Sequence, residues 1–338
     1  MLDVGVLGAT GAVGQRFVQL LAAHPWFNLK VLTASERSAG RTYADVVNWR
    51  LDTPFPDSIA DMVVSSTTVD AVRDCDLVFS SLPADIAGRF ETEIAEAGVG
   101  VCSNARSHRM DPDVPLVIPE VNPDHLGLID VQRDAGRDGF IVTNPNCSTI
   151  TLILAMAPLR PLGFSSIQVA TMQAISGAGF EGIPAMAITD NVVPHIGDEE
   201  EKMESESLKI LGDLDGDHVN NSDVRVSASC HRVPVIDGHT VAVWTDVRAS
   251  VEDAKKAFAT FKSPFVNLPL QPAKAVELLE QPDRPQPRLD RNRGSGMTVS
   301  VGRVREGLRF VALGHNTIRG AAGASVLNAE LIHSRKYL

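Results

Sequence analysis

At 338 residues, with 44% hydrophobic and 22% charged positions, the chain is too long for one ordinary core, and two domains are expected. A net charge of −11 disfavours general nucleic-acid binding, although local basic pockets for anionic ligands remain open. Four separated cysteines (Cys75, Cys102, Cys147, Cys230) form no CxxC pair or Cys/His cluster, so neither a zinc site nor a disulfide framework is expected. No apolar run is long enough to span a bilayer, and no charged-then-apolar leader precedes the first strand. The expectation is a cytoplasmic protein with no membrane partner.

Leu2–Leu7 is a short β-rich run that breaks into Gly8-Ala9-Thr10-Gly11-Ala12-Val13-Gly14, followed by helical spacing from Gln15. Strand, glycine turn and helix form the context of a dinucleotide fingerprint, here spaced GxxGxxG. Gly8 permits the tight turn, Gly11 the approach of pyrophosphate, and Gly14 the closure of helix on strand; Thr10, Ala12 and Val13 complete the turn. The second strand, Leu29–Ala34, ends in Ser35, and Arg37 and Ser38 follow. Hydroxyl and guanidinium groups are good phosphate donors, so these three favour a 2′-phosphate and hence NADP over NAD; Glu36 would argue otherwise if it pointed inward. Further strands are expected at 77–82, which contains Ser80, and at 98–103, with a helix between them at 84–97. This alternation predicts a doubly wound parallel sheet. Arg106 and Arg109 follow the 98–103 strand, where such sheets place ligands.

After a strand at 140–143 comes Asn144-Pro145-Asn146-Cys147-Ser148-Thr149, then an apolar helix over 148–157. A thiol at a helix N-terminus sees unpaired N–H groups and the positive dipole end, both of which favour thiolate. Beyond it the strands at 167–175, 224–230 and 240–248 alternate, predicting an α+β domain with a largely antiparallel sheet. The charged segment 197–211 reads as a helix with most of its charges solvated. The segment 281–296 reads as a long loop, and 318–332 as a small-residue helix. The expected division is a Rossmann-like NADP-binding domain over 1–146 and a catalytic and dimerisation domain over 147–317, with 318–338 packing back on the first.

The Gly8–Gly14 turn, the NPNCST turn, Gln173–Gly179, the EEEKME helix, the segment Cys230–His239 and Asn316–Gly323 occur in an order that closely resembles aspartate-β-semialdehyde dehydrogenases of the archaeal and fungal type, over essentially the whole chain. The resemblance implies NADPH-dependent reductive dephosphorylation of aspartyl-β-phosphate through a thioester on Cys147, in the biosynthesis of lysine, threonine, methionine and isoleucine. It implies that His239 is the acid/base, Arg232 the clamp on the substrate carboxylate and Gln173 an orienting group. Arg109 and Lys202 would contact phosphate, and Glu199 (or Glu200 or Glu201) the substrate ammonium. Asn146 and the N–H of Cys147, which flank the carbon where negative charge develops, are the candidates for an oxyanion site. Ser176, Gly177 and Asn316 are expected to approach the nicotinamide. His231 would face away from Arg232 on a strand. A homodimer or homotetramer is implied, with the second sheet as the interface. The nearest rival is a malonyl-CoA reductase on the same scaffold; a non-catalytic nucleotide-binding protein is disfavoured by the joint presence of nucleophile, base and clamp.

Overall fold

The computed structural model describes residues 1–338. Leu2–Leu7 (β1), Phe27–Ala34 (β2), Ser65–Ser66 (β3), Leu77–Ser80 (β4), Gly100–Ser103 (β5) and Phe140–Thr143 (β6) form a parallel sheet in the order β3-β2-β1-β4-β5-β6. Every residue of β4, β5 and β6 is buried, as short apolar runs covered on both faces must be. The strand order reverses between β1 and β4, which opens a crevice at their carboxyl ends. The glycine turn enters that crevice and leads into the helix Ala12–Leu21.

The second sheet contains Ser166–Gln173 (β7), Arg225–Arg232 (β10), His239–Thr245 (β11), Val276–Leu279 (β12), Val299–Arg305 (β13) and Arg309–Gly314 (β14), in the order β10-β7-β11-β14-β13-β12. Asp213–Asp215 (β8) and His218–Asn220 (β9) make a separate hairpin. The expected antiparallel pairing holds for β7/β11, β11/β14 and β13/β14, but β7/β10 and β12/β13 are parallel. The reason is connection length: the helix Glu199–Leu211 lies between β7 and β10, and a crossover of that size allows parallel return. The 281–296 loop is more ordered than expected. It holds a helical turn at Pro287–Asp290, where buried Asp290 accepts from Arg284 and from the Gln286 N–H at 2.8 Å.

Register gathers three residues at one end of the second sheet. Gln173 closes β7 and pairs with Arg232, which closes β10; antiparallel β11 begins beside them at His239. The inner face of this sheet packs on the helix Cys147–Met156, which is buried from Ser148 onward. The opposite face leaves Gln168 and Trp244 exposed. At the C-terminus the expected single helix begins instead as a π turn, Ile318–Ala322, where the Gly320 and Ala322 N–H groups reach back five residues to His315 and Thr317. The helix Gly323–Ser334 then packs Val326, Leu327, Leu331 and Ile332 against Phe17, Leu21 and Phe27 of the first core. No helix is long and apolar enough to cross a membrane.

Candidate active site

The turn before Cys147 is a helix cap. Asn146 stands at the N-cap, and its Oδ1 accepts the Ser148 and Thr149 N–H groups at 2.9 and 3.3 Å. An N-cap carbonyl of this kind satisfies donors the helix cannot pair itself. The Asn146 Nδ2 donates to both carboxylate oxygens of Glu199, and its backbone N–H donates to Glu206 Oε2 at 2.7 Å. These bonds tie the side-chain amide of Asn146 to Glu199 and to the helix it caps.

Cys147 is partly exposed, and its Sγ lies 3.2 Å from His239 Nε2. His239 is fully buried, and its Nδ1 accepts the Ala174 N–H at 3.0 Å. Burial, reinforced by Arg232 and His315, pushes the imidazole down to about 3. The thiol is pushed up to about 12 by desolvation and by the Glu199 carboxylate, against the opposing pull of Arg109 and Arg232. These influences oppose the pull toward thiolate expected at the helix end.

Arg232 is buried, and its guanidinium makes one hydrogen bond, to the Ala174 carbonyl at 2.7 Å, which leaves further donors for a substrate carboxylate. His231 is half-buried, on the other face of β10, against the Thr171 carbonyl. Gln173 Nε2 donates to Glu199 Oε2 at 3.2 Å. Among the three consecutive glutamates, Glu199 faces the site, Glu200 accepts the Cys230 N–H at 2.9 Å, and Glu201 is exposed. Lys202 Nζ reaches Glu199 at 3.3 Å.

The helix Glu199–Leu211 overturns the expectation of a solvated charged face. Glu200 and Glu204 accept N–H groups of β10, an edge strand, at 2.9 and 3.0 Å. Buried Glu206 bridges Arg109 Nη1, at 2.8 Å, and the Asn146 N–H. Lys209 Nζ donates to the carbonyls of Arg109, Asp111 and Val114 at 2.7–2.8 Å. Glu206 and Lys209 are functional neighbours that sequence reading missed; only their spacing of seven and ten positions from Glu199, on one helix face, could have pointed to them. Arg109 is thus anchored, but its Nε–H is buried without a partner, and with Arg106 and Lys202 it lines a cavity of about 390 Å³.

Two glycines are fixed by close approach. A Cβ on Gly177 would meet Arg232 Nη1 at 2.6 Å and His239 Cε1 at 3.0 Å; one on Gly320 would meet the Cys147 Cβ at 2.6 Å. Asn316, expected at the nicotinamide, accepts the Gly238 N–H and donates to Ser176 Oγ, each at 2.8 Å, and so braces the turn before His239.

The nucleotide turn fits a bound dinucleotide. Gly8 has φ +75°, and a Cβ on Gly14 would stand 2.1 Å from the Gly8 carbonyl oxygen. Gly11 caps the helix with no side-chain bond, leaving the first-turn N–H groups at Ala12 and Val13 for phosphate, with Thr10 partly exposed beside them. Ser35 and Arg37 are exposed and Ser38 half-buried, while Glu36 points to solvent. Ser80 is fully buried and pairs in register with Leu7, the residue before the turn; Ser81, not singled out by sequence, sits against Gly8 and donates to the Leu7 carbonyl at 2.8 Å. A cavity of about 290 Å³ lies between the glycine-turn helix (Ala12, Gln15, Arg16) and the loop carrying Ser176 and Phe180.

Residues 3–129 match the family model described as semialdehyde dehydrogenase, NAD binding domain, and residues 156–319 match semialdehyde dehydrogenase, dimerisation domain. The chain is 56% identical to an aspartate-semialdehyde dehydrogenase of Archaeoglobus fulgidus, with 99% of both chains covered. It is 46% identical to that of Saccharomyces cerevisiae, covering 99% of this chain and 98% of the relative. Among solved structures, the Candida albicans aspartate semialdehyde dehydrogenase with NADP superposes with TM-score 0.92 at 41% identity over the full length of both chains. The Vibrio cholerae enzyme II complexed with ASA superposes with TM-score 0.79 at 28% identity, covering 100% of this chain and 99% of the other. The chain belongs to the aspartate-semialdehyde dehydrogenase family.

Proposed function

We propose that the chain converts L-aspartyl 4-phosphate to L-aspartate 4-semialdehyde by way of a thioester on Cys147, as a step of amino-acid biosynthesis. The observation that carries this reading is the 3.2 Å contact of Cys147 Sγ with His239, beside an arginine whose outward donors are free. Cys147 attacks the acyl carbon and phosphate departs. Arg232 clamps the α-carboxylate, and Glu199, held by Asn146, Gln173 and Lys202, takes the substrate ammonium. Arg109 and Lys202 receive the phosphate, and Gly177 leaves room for the substrate against Arg232 and His239. NADPH, seated on residues 8–14 with its 2′-phosphate at Ser35, Arg37 and Ser38, supplies hydride when bound. The exposed face of the second sheet, including Gln168 and Trp244, pairs with a second copy, in keeping with the dimerisation model that matches this segment, and the enzyme works in the cytoplasm.

The test is NADP-dependent absorbance change with aspartate semialdehyde and inorganic phosphate. Turnover there supports the reading. No turnover, alongside NADPH oxidation with malonyl-CoA, would replace it with the coenzyme A thioester reductase.

A further inference from the structure

We propose that Glu120 and Arg319 are positioning residues for the nucleophile: their buried ion pair holds the π turn Ile318–Ala322 against Cys147 through Gly320, and so sets where the sulfur stands. This rests on the reading of Cys147 as nucleophile given above.

Arg319 Nη1 donates to Glu120 Oε1 at 2.8 Å and Nη2 donates to Oε2, a two-pronged pair between residues 199 positions apart. Both side chains are fully buried. The Arg319 Nε is buried without a partner, so this one carboxylate supplies all the acceptors of the guanidinium.

Each member of the pair leads to Cys147 by its own route. Glu120 belongs to a segment sewn to β6: the Val117 N–H donates to the Thr143 carbonyl, and the Thr143 N–H to the Pro115 carbonyl, each at 2.9 Å. Asn122 closes that segment, accepting the Ile118 N–H at 2.9 Å and donating to the Leu116 carbonyl at 2.8 Å. Strand β6 then runs directly into the Asn144–Asn146 turn and Cys147. Arg319 lies within the π turn, beside Gly320. A Cβ on Gly320 would stand 2.6 Å from the Cys147 Cβ and 3.0 Å from its Cα, so the backbone of the turn rests on the nucleophilic residue itself. Thr317, at the start of the turn, accepts from Arg16 Nε on the nucleotide helix at 3.1 Å. The ion pair thus closes a ring that runs from Glu120 through β6, Cys147 and Gly320 to Arg319.

Stability is a weak reason for such a pair. Desolvating a carboxylate and a guanidinium can cost more than their attraction returns, and apolar side chains of similar volume often serve as well or better. Apolar side chains lack direction, whereas a planar fork fixes both distance and angle. A π turn is a local departure from the ordinary helix and is frequent at functional sites. Here it places Gly320 where a regular turn would present a different residue to Cys147. Thioester formation needs the sulfur about 3–3.5 Å from the acyl carbon and aligned with it, so a small shift of Cys147 falls on the chemical step rather than on binding.

The test is the double variant Glu120→Met with Arg319→Met in the full chain, which removes both charges together. Its urea unfolding midpoint should equal or exceed that of the wild type. Its kcat with aspartate semialdehyde and phosphate should nevertheless fall by about tenfold or more, with KM for both and NADP affinity little changed. A folded double variant with wild-type kcat would overturn the proposal. Should the double variant fail to fold, Glu120→Asp keeps the charge and shortens the reach by one methylene; a drop of about threefold or more in kcat at constant KM is expected, and wild-type kcat would again overturn it. A second arm needs no substrate: the iodoacetamide rate at Cys147, followed by mass spectrometry from about pH 6 to about pH 9, should differ between wild type and the folded variant by about threefold or more. Identical alkylation profiles would overturn the claim that the pair acts through Cys147, whatever happens to kcat. A wild-type chain that fails to turn over aspartate semialdehyde would refute the function assigned above, while the alkylation arm would still decide whether the pair places the sulfur.

Discussion

Glu206→Gln perturbs a single buried carboxylate that ties the nucleophile turn to Arg109. Each of its oxygens has one donor: Arg109 Nη1 at 2.8 Å and the Asn146 N–H at 2.7 Å. An amide keeps one acceptor and turns an NH₂ toward the other donor, so one partner is orphaned whichever way the amide sits. Orphaning a buried donor costs about 1–3 kcal/mol, and breaking a buried charged pair about 3–5 kcal/mol. The two overlap, so a loss of roughly 3 kcal/mol is expected, read from urea unfolding midpoints at constant slope. Because the Asn146 N–H lies one residue before Cys147, kcat should also fall, on the order of tenfold to a hundredfold for a displacement approaching 1 Å. A stability change within about 0.5 kcal/mol together with unchanged kcat would refute the bridge.

Cys147→Ala should abolish turnover and leave NADPH affinity, measured by fluorescence titration, unchanged; residual activity near wild type would remove the sulfur from the mechanism. Arg232→Lys should raise KM for the semialdehyde or lower kcat by about tenfold or more with little effect on NADP affinity, because a lysine cannot form the bidentate fork; equal kinetics would place the carboxylate elsewhere. Gly177→Ala should impair the same substrate step, since its Cβ would enter the space of Arg232 and His239, and wild-type kinetics would show that the loop yields freely. His239 has a folded-state value near 3, below the ordinary 6.5, so its contribution to stability is complete above pH 6.5 and is lost as pH falls toward 3. His239→Asn should flatten the acid limb of the stability profile in that window; an unchanged limb would contradict the buried neutral ring.

The glycine turn and the alternation of β1 to β6 were legible because both are local patterns: strand, turn and helix within a few residues, and apolar runs buried on both faces. The family resemblance supplied the identity and order of Cys147, Arg232 and His239. What was not legible depends on contacts distant in sequence. The thiol's environment is set by burial and by Glu199, neither of which inspection of the NPNCST turn can include. The Glu199–Leu211 helix reads as solvated because its apolar positions are few, yet its charges meet the N–H groups of an edge strand and the carbonyls of the loop after β5. Asn146 carries the signature of an N-cap, but its tie to Glu199, 53 positions on, could not be read from the turn. Ser80 and Ser81 are adjacent and chemically identical, and the contact of Ser81 with Gly8 is visible only in three dimensions. The strands β12 to β14 carried no expectation: β12 is short, and β13 meets β14 across a register shift.

The central claim is that Cys147 carries the aspartyl group after phosphate has left. The protein is mixed with aspartyl phosphate in the absence of NADPH, quenched in acid and digested, and the Cys147 peptide is weighed by mass spectrometry alongside a phosphate-release assay. An aspartyl adduct on Cys147, formed in step with one equivalent of released phosphate and absent from Cys147→Ala, is the predicted result. Phosphate release or turnover with an unmodified Cys147, or an adduct on another residue, would contradict it.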